Sequence, residues 1–219
     1  MEKNKIASII DHTLLAPEAT RKKLDTLCGE AIEYGFASVC VHSANVGYVE
    51  GLLRNSEVAV CSVAGFPFGA NRADVKVYEA RVAMEDGARE IDMVLNIGEL
   101  KNGNHQLVAS DIWVVRETIG KDAILKVIIE APILTEEEKI KATELVVSAG
   151  ADYVKTATGM NPAGGATLAD VALLKAVAND RIKVKAAGGI RDNATAIAMV
   201  KAGADRIGTS AGPEILGRG

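Results

Sequence analysis

Nowhere in this chain do about eighteen apolar residues run together, which excludes an ordinary membrane-spanning helix. The opening Met1-Glu2-Lys3-Asn4-Lys5-Ile6-Ala7-Ser8-Ile9-Ile10 has an apolar stretch too short for a secretory signal, so a cytoplasmic location is expected. Basic charge is also in deficit. With 25 Lys and Arg against 29 Asp and Glu the chain carries a net charge of −4, so no broad basic face for nucleic acid is expected, although a small anion needs only a local pocket. Cysteine is scarce: Cys28, Cys40 and Cys61 are odd in number and lack C-x-x-C spacing, which reads as reduced thiols and not as a disulfide framework or zinc site. His12 and His42 show no H-x-x-x-H or H-x-H spacing, so hydrogen-bonded structural roles are expected of them ahead of metal ligation. No Pro/Ser-rich linker or charge block divides the 219 residues, and 1–219 reads as one domain long enough to bury a large core.

What the sequence does contain is one alternation repeated throughout. Strand-like segments occur at Ala7–His12, Ser38–His42, Val58–Val63, Glu90–Asn96, Ile124–Glu130, Tyr153–Ala157, Ile182–Ala187 and Arg206–Ser210, with helical spacing of apolar residues in every interval. Thr20, Thr135 with Glu136-Glu137-Glu138, and Asp192 or Asn193 mark helix starts; Gly35, Gly87, Gly150 and Gly203 mark helix ends. Glu85-Asp86-Gly87-Ala88, Ser148-Ala149-Gly150-Ala151 and Lys201-Ala202-Gly203-Ala204 read as one helix-to-strand turn used three times. Eight strand-helix units predict a (β/α)8 barrel, with a doubly wound open sheet as the weaker alternative.

Two lysines close consecutive strands. Lys155 in Tyr153-Val154-Lys155-Thr156 and Lys185 in Val184-Lys185-Ala186-Ala187 lie 30 positions apart, one strand-plus-helix unit, which predicts equivalent places on neighbouring parallel strands. Like charge and partial burial both disfavour protonation, so one of the two can be a free amine able to attack a carbonyl. Strand parity turns Asp92 inward with Glu90, Lys126 with Glu130, Cys40 with His42 and Lys155 with Tyr153. Each has a plainer reading: the lysines as ion-pair members with Asp92 or Glu130, and Cys40 as a small inward hydrophobe. Gly188-Gly189-Ile190-Arg191 and Gly208-Thr209-Ser210-Ala211-Gly212 follow the last two strands, where barrels often bind phosphate. The residues alone thus leave open a Schiff-base enzyme, a metal-dependent or proton-transferring sugar-phosphate barrel using Asp92 and Glu130, and a non-catalytic phosphate-binding barrel.

Seven segments narrow these alternatives: Asp11-His12-Thr13-Leu14-Leu15, Ser38-Val39-Cys40-Val41-His42, Ala64-Gly65-Phe66-Pro67-Phe68-Gly69, Glu90-Ile91-Asp92-Met93-Val94, Leu125-Lys126-Val127-Ile128-Ile129-Glu130, Val154-Lys155-Thr156-Ala157-Thr158-Gly159 and Lys185-Ala186-Ala187-Gly188-Gly189-Ile190-Arg191. Together they resemble the deoxyribose-phosphate aldolases in order over nearly the whole chain. The resemblance implies a class I aldolase, without metal or cofactor, that interconverts 2-deoxy-D-ribose 5-phosphate with D-glyceraldehyde 3-phosphate and acetaldehyde, as a cytoplasmic homodimer or homotetramer with no nucleic-acid or membrane partner. It implies Lys155 as the Schiff-base lysine, Lys185 as the second lysine and Asp92 as the acid/base. It further implies Asp11, Cys40 and Lys126 along the site, and Thr158, Gly159, Gly188, Gly189, Gly208 and Ser210 at the substrate and its phosphate. Met160 stands where some family members carry a lysine, and Ala131-Pro132 where a Thr-Gly pair is common, so positive charge at the phosphate is expected from Arg191 or elsewhere.

Overall fold

Short β-branched runs closed by glycine turns form eight parallel strands in a computed structural model that describes residues 3–217. They are β1 (Ile10–Leu14), β2 (Ser38–Val41), β3 (Ala59–Ala64), β4 (Glu90–Val94), β5 (Ile124–Ile128), β6 (Tyr153–Lys155), β7 (Lys183–Ala187) and β8 (Arg206–Thr209). Each pairs with the next, and β8 closes on β1, so the sheet is a single (β/α)8 barrel and not a doubly wound open sheet. Helices fill the intervals and one turn of helix, Gly212–Ile215, follows β8. Among the described residues no helix is long and apolar enough to cross a membrane.

Local chemistry sets the boundaries. Thr20 accepts a hydrogen bond from the Lys23 N–H, Asp192 from that of Thr195, and Thr135 forms a full capping box with Glu138. The recurrent turn is real: Gly87, Gly150 and Gly203 have φ of 108°, 77° and 116°, and each following alanine donates its N–H to the carbonyl five residues back, on Ala83, Val146 and Met199. One boundary differs from expectation. Lys3–Ala7 is helical and β1 begins at Ile10, because Ile6 and Ile10 both pack inward, and their four-residue spacing serves a helix end followed by a turn as well as a strand. Of the other strands, β2, β4, β5, β6 and β8 end one or two residues sooner than expected, β7 ends at Ala187 as expected and β3 runs one residue further, to Ala64.

The apolar core lies outside the strands. Val39, Val60, Ile91, Met93, Leu125, Val127, Val154, Val184 and Ile207 point to the helices and are almost fully buried there. Burying each such side chain contributes about 1.5–3 kcal/mol. The inward positions carry a small apolar cluster of Leu15, Cys40, Cys61 and Val63, and beside it a set of charges.

Candidate active site

Seven ionisable side chains converge inside the barrel: Asp11 from β1, Glu90 and Asp92 from β4, Lys126 from β5, Lys155 from β6, Lys185 from β7 and Arg206 from β8. Register brings them together, since Asp92 lies opposite Lys126 and Lys155 opposite Lys185. Asp92 is the hub. Its Oδ2 accepts hydrogen bonds from the ammonium groups of Lys155 and Lys185, both at 2.7 Å, while Oδ1 accepts from Lys126 at 2.8 Å and from the Cys61 thiol at 3.3 Å. Lys185 Nζ also lies 2.5 Å from Asp11 Oδ2, Lys126 Nζ lies 2.6 Å from Glu90 Oε2, and Arg206 pairs with both Asp11 and Glu90. Ser38 donates to the other Asp11 oxygen at 2.7 Å.

Burial opposes every one of these charges, and mutual attraction decides the outcome. For Asp92 the ammonium groups of Lys126, Lys155 and Lys185 overcome it and hold the carboxyl well below the usual carboxylate range. Asp11 is likewise held low, by Lys185, Lys126 and Arg206. The carboxylates in turn raise Lys185 and Lys126 above the ordinary lysine range. Four cations face three carboxylates, so the set is one negative charge short. Besides Asp92, Lys185 reaches Asp11 and Lys126 reaches both Glu90 and Asp11, whereas Lys155, among the described residues, pairs with Asp92 alone.

Above this floor, at the carboxyl ends of β6, β7, β8 and β1, opens a cavity of about 260 Å³. Of the three lysines, Lys155 lines it. Of the other expected residues Thr158, Gly159, Gly188, Gly189, Gly208 and Ser210 line it too, with Arg191 and Met160 at its rim. The glycines are needed where neighbouring segments approach closely. A Cβ on Gly188, whose φ is 94°, would stand 2.8 Å from the Gly165 Cα, and one on Gly208 would stand 3.0 Å from the Lys185 Cε. Lys185, Asp92, Asp11 and Lys126 belong to the floor, with Cys40 beside them, all fully buried and not among the residues that line the cavity.

His12 and His42 are not brought together: His12 Nε2 lies 2.7 Å from Glu30 and His42 Nε2 3.1 Å from the Leu15 carbonyl. Cys40, Cys61 and Asp92 hold donor atoms within 4.8 Å of one another, but the Lys126 ammonium already sits against Cys61 and Asp92, which disfavours a metal cation there. Glu130 does not pair with Lys126 or Lys185; it bonds Thr158. Arg206 was missed in the sequence, though parity with Gly208 along β8 was a usable signal.

Comparisons with known proteins place the chain in a family. The sequence profile of the DeoC/LacD family aldolases matches residues 5–217. A deoxyribose-phosphate aldolase of Geobacillus sp. (strain WCH70) is 53% identical, the match covering 97% of this chain and 95% of the relative. A solved structure from Coccidioides immitis superposes with a TM-score of 0.96 at 46% identity, covering 99% of this chain and 86% of that one. The tetrameric deoxyribose-phosphate aldolase of Aeropyrum pernix superposes with a TM-score of 0.91 at 35% identity, covering 99% and 91%. A matching profile over nearly every residue, on a barrel that presents one lysine to a glycine-lined cavity, makes this chain a member of the DeoC/LacD aldolase family.

Proposed function

We propose that the chain is a deoxyribose-phosphate aldolase, a lyase that reversibly cleaves 2-deoxy-D-ribose 5-phosphate into D-glyceraldehyde 3-phosphate and acetaldehyde through a Schiff base on Lys155. The observation that carries this reading is the position of Lys155, with its Nζ 2.7 Å from Asp92 at the bottom of the cavity. As a free amine it adds to the sugar aldehyde, giving a carbinolamine, and Asp92 passes the proton that lets water leave. The resulting protonated imine draws the electrons of the C2–C3 bond as the C3 hydroxyl loses its proton. Glyceraldehyde 3-phosphate departs, the enamine takes a proton at C2, and hydrolysis releases acetaldehyde and the lysine.

Lys185 and Lys126, raised in pKa and fully buried, act as fixed positive charges that keep Asp92 an ionised base, ready to take up and return protons. Asp11 holds Lys185 in place, and Cys40 packs beside the floor. Gly159, Gly188, Gly189, Gly208 and Ser210 receive the phosphate, with Arg191 supplying charge where Met160 offers none. The iminium is the electron sink, so the reaction calls for no metal or cofactor. The chain acts on small molecules as a cytoplasmic homodimer or homotetramer, and the tetrameric Aeropyrum pernix relative supports the assembly. Borohydride trapping with acetaldehyde tests the chemistry: an ethyl group on Lys155 by peptide mapping is expected. Labelling of Lys185 or Lys126 instead would overturn the assignment.

A further inference from the structure

Glu130 is a buried carboxylate that the aldol chemistry does not use. It is 2% exposed, and among the described residues no cation lies within 4.0 Å of it. Its backbone has φ 55° and ψ 54°, the left-handed conformation that side chains other than glycine rarely adopt. The surrounding chain holds it there. Ile129 N–H donates to the Lys155 carbonyl, Ala131 N–H to that of Thr156 and Ile133 N–H to that of Glu130 itself, so the strained residue is fixed from both sides.

The strained backbone delivers the carboxylate to one residue. Glu130 Oε1 accepts from the Thr158 N–H at 3.1 Å and Oε2 from the Thr158 hydroxyl at 2.6 Å. The same hydroxyl oxygen then accepts from the Met160 N–H at 3.1 Å, closing a turn around Gly159, whose φ is 78°. On the other flank Thr156 Oγ1 both donates to the Ala187 carbonyl and accepts its N–H at 3.0 Å. The five residues from Thr156 to Met160 connect Lys155 to the rim of the cavity, and side-chain hydrogen bonds tie both ends. A charged acceptor serving two donors on one residue is stronger and more directional than a neutral one.

We infer that Glu130 is a positioning residue: its carboxylate latches the Thr158–Met160 turn and so sets the span between the Lys155 nitrogen and the phosphate end of the cavity. It thereby governs preference for phosphorylated over unphosphorylated aldehydes. The inference rests on the Schiff-base reading above, because the span matters only if one end of the substrate is bound to Lys155.

The test compares Glu130→Gln and Thr158→Val with the unaltered protein. Glutamine keeps the volume but offers one oxygen and an NH2 group, so one of the two Thr158 donors faces another donor. The KM for 2-deoxyribose 5-phosphate should rise about tenfold or more in each variant. In Glu130→Gln the KM for unphosphorylated deoxyribose and the rate of borohydride trapping with acetaldehyde should stay within about twofold, since neither reads the phosphate end. The double variant should be no worse than the poorer single one, as expected of two residues acting through one contact. Thr158→Ser, which keeps the hydroxyl, should restore the ratio of the two KM values. Equal losses on both substrates in Glu130→Gln, or an unchanged ratio, would overturn the latch; should Glu130→Gln fail to fold, Glu130→Asp, which keeps the charge but draws it back by one methylene, decides by the same comparison. Failure of the unaltered protein to trap acetaldehyde would instead remove the Schiff-base reading itself.

Discussion

Replacing Lys185 by leucine removes a positive charge from the centre of the site while leaving a side chain of similar bulk. Lys155 and Lys185 both lie 2.7 Å from the same Asp92 oxygen, which keeps their nitrogens within 5.4 Å of each other. At that separation two unit charges repel by about 3 kcal/mol at an effective dielectric constant of about 20, equivalent to roughly two pH units. The substitution also strips Asp11 and Asp92 of a counter-ion, and their uncompensated negative charge acts in the same direction. A proton on the neighbouring amine then becomes easier to hold, so the pH profile of imine formation should move upward by at least about one unit. Rapid-quench borohydride trapping with acetaldehyde, between about pH 6 and 10, reads that profile separately from turnover, which the loss of a counter-ion to Asp92 will also depress. A folded Lys185→Leu protein with an unshifted profile would refute the reasoning.

Asp92→Asn should lower kcat by about 10²–10⁴, because an amide can neither shuttle the proton nor accept from three ammonium groups; retained turnover in steady-state assays would contradict this. Ser210→Asp should raise KM for the phosphorylated sugar far more than for unphosphorylated deoxyribose, and equal effects would place the phosphate elsewhere. Lys76 and Asp111 form a buried pair at 2.5 Å between the helices Ala73–Glu85 and His105–Ile119, and burial pushes the lysine down and the carboxyl up. Lys76→Met alone should cost about 3–5 kcal/mol in unfolding experiments while Lys76→Met with Asp111→Leu recovers most of it; equal losses would refute the assignment. Asp11 and Asp92 have folded pKa values below their unfolded ones, so the stability they contribute is complete above about pH 4 and lost as the pH falls further. Denaturant midpoints should therefore drop below about pH 4, and less steeply in Asp11→Asn.

The parts legible in the sequence were those written in short-range spacing. Thirty residues between Lys155 and Lys185 gave their register, alternation along β4 turned Asp92 inward, and the three Gly-Ala turns marked the joints of the barrel. Depth along the barrel axis was not legible, since parity says which face a residue takes and not how far below the cavity it sits. Asp11 and Lys126 therefore looked like lining residues and proved to be part of the floor. Pairings across long loops were hidden for a different reason: Lys76 meets Asp111 35 positions away, and Arg206 meets Glu90 at 116, distances over which no pattern in one chain identifies a partner. Glu130 was read as a partner of Lys126 or Lys185 and instead bonds Thr158, from a left-handed residue after β5 that the apolar run of the strand does not announce.

The division between an apolar shell outside the strands and charged side chains within them bears on how this protein can diversify. Cohesion of the barrel resides in residues such as Ile91, Leu125 and Val184, which never meet the reacting groups, so the interior can be rewritten without dismantling the scaffold. The buried ions are in fact a standing burden on folding, and neutral replacements matched in shape would tend to yield a sturdier but inert barrel. Selection for thermal robustness alone would thus erode Lys126 and Lys185 early, and only continued demand for turnover keeps such residues in place.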